Sequence, residues 1–164
     1  MSKPKIKYIP RVFESDAELL PKKKNGKKAT DVSANIYGSM LLSQAWYNLK
    51  GKQKELYLYC KLQYFAESKK KEELLTADER NAGAEPDLSK RFTMNKSKWC
   101  EIYHLYTDST QRRFYEDMKA LIEAGFIKVL ETNQNTRKKN IYEFSDNWRK
   151  LGTITKLKKN SKKQ

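Results

Sequence analysis

The residues of this chain with the most to offer chemically are Ser109, Thr110, Gln111, Arg112, Arg113 and Glu116. They stand in DSTQRRFYEDMKALIEAGF, where Phe114, Met118, Leu121 and Ile122, with Tyr115 flanking, recur at helical spacing. The polar six therefore fall on the first turns of one helix, away from its apolar stripe. Asp108 is the expected N-cap, with Gln111 three residues on as a partial capping box. Hydroxyls, a carboxamide and guanidiniums at a helix start suit the major groove of DNA. Arginine forks onto guanine there, and the helix N-terminus favours phosphate.

The flanking elements must hold that helix in place. Gly125 stands where a left-handed C-cap is expected, and IKVLE (127–131) reads as a strand whose alternation Leu130 breaks. TNQNTRKKN is a turn carrying Asn135 and three consecutive cations, Arg137, Lys138 and Lys139, before the return strand IYEF (141–144). Upstream, FTMNKSKWCEIYHLY (92–106) predicts a helix capped by Asn95, with Trp99, Ile102, Tyr103 and Tyr106 facing the core. Its start, with Lys96 and Lys98, lies where a helix-turn-helix meets the DNA backbone. The connecting turn at Tyr106–Thr107 is short.

The run STQRRFYEDMKALIEAGFIKV, followed by a charged turn and IYEFSDNW, resembles the recognition helix and wing of bacterial winged-helix DNA-binding proteins. The likeness is to the replication-initiator-like and accessory proteins of plasmids and integrative conjugative elements, and it covers residues 36–149. It implies a mainly α fold with a small β wing, a winged helix-turn-helix flanked by basic tails. It implies a double-stranded DNA partner, a wing that contacts phosphates or the minor groove, and a role in plasmid or mobile-element replication, transfer or transcriptional regulation. One departure is the connecting turn, which lacks the usual glycine.

Composition sets the remaining bounds. The 164 residues suit one domain with tails, and the net charge of +15 calls for an anionic partner. Residues 1–29 carry nine Lys/Arg against three acids, and residues 150–164 carry six Lys and no acid. The tails therefore hold most of the basicity, and residues 30–149 keep only +3. We expect a basic, largely flexible arm over 1–33, a domain over 34–149 and a basic tail over 150–164. A short strand around Ile6–Ile9 is crowded by Pro4 and Pro10.

Within the domain, Leu42, Ala45, Trp46 and Leu49 predict a short helix after Ser43, stopped near Gly51. KELYLYCKLQYFAE is apolar around most of its circumference, the mark of a central buried helix. Residues 68–91 mix charges of both signs, so KKKEELL extends that helix and ADERNAGAEPDLSK forms an exposed loop. Ser145 or Asp146 caps a last short helix with Trp148 and Leu151 inward.

Cys60 and Cys100 form neither a metal signature nor a disulfide framework, and His104 is the sole histidine. No Gly-rich phosphate loop or nucleophile–base pair is visible, so we expect no enzyme, no cofactor and no metal. No apolar run approaches a membrane span and no signal peptide is visible, which predicts a cytoplasmic, nucleoid- or plasmid-associated protein. The competing reading is a protein-interaction module, an accessory subunit of a replication or relaxase complex with only non-specific DNA contact. A dimer is open to either reading.

Overall fold

The computed structural model describes residues 34–66, 71–94, 97–132 and 140–152. They form a mainly helical unit with one three-stranded antiparallel sheet. Among the described residues no helix is long and apolar enough to cross a membrane. The Ile6–Ile9 segment and both predicted tails, up to residue 33 and from 153, lie outside the described residues.

Two short helices open the unit, α1 (Gly38–Leu41) and α2 (Gln44–Asn48). Ser43 caps α2 by accepting from the Trp46 amide at 3.1 Å, as its position predicted. The single helix expected here is broken at Leu42, which is 62% exposed instead of buried. The helix does stop near Gly51, at Asn48, but the glycine itself opens the next helix. This is α3 (Gly51–Ala66), whose Leu56, Tyr57, Cys60 and Gln63 are buried. Burial pushes the Cys60 thiol up, which keeps it protonated and inert.

Of the stretch predicted to be an exposed loop, 77–90, the first part is helical and the rest is irregular as expected, while KKKEELL, expected to be helical, ends in a tighter turn. A 3-10 turn, Lys71–Leu74, buries Leu74, and α4 (Ala77–Ala82) follows. A capping box fixes α4: Thr76 Oγ1 accepts from the Glu79 amide, and Glu79 Oε2 accepts from the Thr76 amide at 2.9 Å. Gly83 closes it in the left-handed region, φ 62°.

The predicted helix over 92–106 is corrected most. Its first residues belong to β1 (Arg91–Met94), buried on both faces, and helical structure shrinks to one π-helical turn, Ser97–Ile102. Trp99 and Tyr106 are core residues as expected, while Ile102 is 62% exposed. His104 lies on the surface with φ 50°.

A 3-10 turn, Asp108–Thr110, leads into α5 (Gln111–Glu123). Asp108 caps neither: Thr107 caps the 3-10 turn, its amide donating to Thr110 Oγ1 at 2.8 Å, and Thr110 stands at the N-cap position of α5. Phe114, Met118 and Leu121 are buried, whereas Tyr115 turns outward. The helix ends in a Schellman motif, with the Gly125 amide donating to Ile122 O and the Phe126 amide to Leu121 O. Strands β2 (Ile127–Glu131) and β3 (Asn140–Phe144) complete the sheet in the order β1–β3–β2. Val129 faces Tyr142 and Glu131 faces Ile141, so Leu130 is the extra residue of a bulge. In the closing 3-10 turn, Asn147–Leu151, Trp148 is buried but Leu151 is exposed.

α3 packs on α5 and on β1. Trp99 stacks on Phe114 at 4.9 Å between ring centres on the α5 side of the core. Phe126 stacks on Trp148 at 5.9 Å on the other.

Candidate nucleic-acid interface

Three polar groups fix α5 against the core. Gln53 Nε2 of α3 donates to Asp117 Oδ1 at 3.1 Å, and the Tyr106 hydroxyl donates to Asp117 Oδ2 at 2.7 Å. Burial and the Asp117 carboxylate both push the Tyr106 phenol up, so it stays a donor. With Phe114, Met118 and Leu121 buried below, the outer face of α5 has little freedom to rotate.

That face carries Gln111, Arg112, Arg113 and Glu116, all exposed. Arg112 is 91% exposed, and its Nε donates to Glu116 Oε1 at 2.8 Å. An exposed i,i+4 pair of this kind is worth about 0.3–0.5 kcal/mol and opens readily to a stronger anion. Ser109 and Thr110 sit in the turn before α5, and their hydroxyls lie 2.9 and 3.1 Å from Thr107 Oγ1. Thr110 also spends its oxygen on the Thr107 amide, so it builds the cap and is a poor candidate reader.

Two residues join the surface that the sequence reading left out. Tyr115 and Lys119 line a shallow depression with Gln111, Arg112 and Glu116. Tyr115 stands ~100° from Phe114 at the margin of the apolar stripe, where spacing alone leaves its direction open.

The other predicted contacts are not placed. Lys96, Asn135, Arg137, Lys138 and Lys139, and the side chain of Lys98, lie outside the described residues. The hairpin that carries 133–139 is described on both sides, by β2 and β3.

Beneath the sheet face runs a charge ladder. Arg91, Glu143 and Lys128 occupy one register across β1, β3 and β2. Arg91 Nε is 3.7 Å from Glu143 Oε2, and Lys128 Nζ is 3.0 Å from Glu143 Oε1. Arg91 also forks onto Glu79 of α4 at 2.6 and 2.8 Å, and the Ala77 amide donates to Glu131 Oε2 at 2.7 Å. α4 is thus pinned across the sheet.

Comparison of the chain with family models, curated proteins and solved structures gives no match.

Proposed function

We propose that the chain is a winged-helix protein that binds double-stranded DNA, with α5 as the reading helix and the β2–β3 hairpin as the wing. The observation that carries this is the outer face of α5. Its buried side is locked by Phe114, Met118 and Leu121 and tethered through Asp117, while Gln111, Arg112 and Arg113 project from its first turns. Arg112 would exchange Glu116 for guanine or phosphate on binding, and the freed Glu116 could accept from a cytosine amine. By its sequence likeness the role would lie in replication, transfer or transcriptional control of a plasmid or integrative element.

Fluorescence anisotropy of the full chain on labelled duplexes from its own gene neighbourhood, with a scrambled control, tests the reading. Arg112→Ala/Arg113→Ala is expected to lower the salt slope by about 2 and to abolish preference between duplexes, a loss of ~1–3 kcal/mol for one bidentate contact. Unchanged slope and preference would sink it. Glu116→Gln is expected to tighten non-specific binding by releasing Arg112.

A second reading has its own observation. Leu41, Leu42 and Tyr47 of the α1–α2 region are exposed, which suits contact with another protein. Retained pull-down of a replication or transfer protein by a chain that binds no duplex would favour it.

A further inference from the structure

A cleft of about 260 Å³ opens between α1, α3 and the C-terminal end of β3. The register of the sheet sets its position: Arg91 faces Glu143 and Met94 faces Asn140, so residues 89–90 and 144–146 mark the end of the sheet remote from Met94 and Asn140.

Its walls combine two chemistries. Tyr57, Phe144 and Trp148 supply apolar aromatic floor, and Tyr37 stands at the rim, 67% exposed. Lys61, Lys90 and Arg149 contribute three cations against one carboxylate, Asp146. Two of the three cations are held on ring faces: Lys61 Nζ lies 4.3 Å from the centre of Phe144 and 5.6 Å from that of Tyr57, and the Arg149 guanidinium lies 5.3 Å from that of Trp148. Asp146 compensates in part, 3.6 Å from Arg149 Nη2.

We propose that this cleft binds a phosphate group joined through a sugar to a planar ring, the chemistry of a nucleoside monophosphate, either free or at the end of a strand. Lys61, Lys90 and Arg149 take the phosphate, and Tyr37 stacks the ring. The phenyl and indole faces under Lys61 and Arg149 are already occupied by cations, which leaves the rim tyrosine as the stacking platform. Burial draws the Lys61 ammonium down, with Asp146 opposing, so an entering dianion restores the charge that burial penalises. The volume falls just below the ~300–1,000 Å³ of drug-sized sites, which limits the occupant to about one nucleotide.

The test is isothermal titration calorimetry of the full chain with dAMP, deoxyadenosine and inorganic phosphate. The expected result is that dAMP binds more tightly than either of its parts. Lys61→Met is expected to weaken dAMP at least tenfold. Tyr37→Ala is expected to weaken dAMP and leave inorganic phosphate unchanged. Arg149→Met serves as a second phosphate variant should Lys61→Met melt below the parent. A 5′-phosphorylated oligonucleotide that displaces dAMP, where its unphosphorylated twin does not, assigns the strand end as the source; dAMP binding without that displacement assigns the free nucleotide. Arg112→Ala/Arg113→Ala must leave dAMP affinity intact, which separates this site from α5. The proposal is overturned if dAMP gives no heat, if phosphate binds as tightly as dAMP, or if neither cation variant changes the affinity.

Discussion

Arg91 enters the sheet almost fully buried, and its guanidinium meets Glu79, Glu143 and the Leu74 carbonyl at once. Removing one member of such a group strands the others out of water, which costs more than the pair contributes when intact. Glu79 feels this most. The hydrogen bond from Arg91, then that of the Thr76 amide, pulls its carboxyl down to about 2 from the usual 4.5. A folded value below the unfolded one means the contribution is complete above about pH 4.5 and drains away as pH falls towards 2. Thermal melting between pH 2 and 6 is therefore expected to show a fall in Tm on acidification that Glu79→Gln flattens. Parallel curves for the two proteins would show that the pair does not couple to folding.

At the scale of elements, the joint between α5 and β2 lies close against the backbone of the closing 3-10 turn. Gly125 has φ 80°, and a Cβ there would lie 2.7 Å from the Trp148 amide nitrogen and 2.8 Å from the Asn147 carbonyl carbon. Its own carbonyl accepts from the Trp148 amide at 3.1 Å. Gly125→Ala meets both a left-handed backbone, worth ~1–3 kcal/mol, and backbone overlap. We expect a loss of at least that size in urea unfolding, against about 0.5–2 kcal/mol for Thr76→Ala at the α4 cap. This joint was legible in the sequence because its signals are local: an apolar stripe at helical spacing, a glycine after it, then alternating residues. Leu130 even announced the bulge. β1 was not legible. All four of its residues are buried, so the alternation that betrays a strand is missing, and the neighbouring aromatics mimic a helix. α4 was missed for another reason. Its face is charged and exposed, yet Thr76, Glu79 and Gly83 spelled out both caps. Of the candidate interface, the Arg112–Glu116 face was readable from spacing, whereas the inward use of Thr110 depends on a turn that begins one residue early.

For the whole molecule, net charge is unevenly distributed along the chain: residues 1–29 and 150–164 each carry +6, and residues 30–149, with cations and acids nearly balanced, only +3. Affinity and discrimination should then separate. Replacing Lys22, Lys23, Lys24, Lys27 and Lys28 by Gln is expected to lower the duplex salt slope by up to about 4–5 and leave the preference between duplexes untouched. A collapse of that preference in anisotropy would make the arm a reader. The sheet order β1–β3–β2 has a different consequence. Its middle strand is the last one translated, and Trp148, which seals Gly125, follows it. While the ribosome is still short of residue 140, β1 and β2 have no common neighbour and Arg91 has no Glu143. The sheet is thus a late, single event in synthesis, and until it occurs two strand edges and the ring of Phe126 depend on other cover.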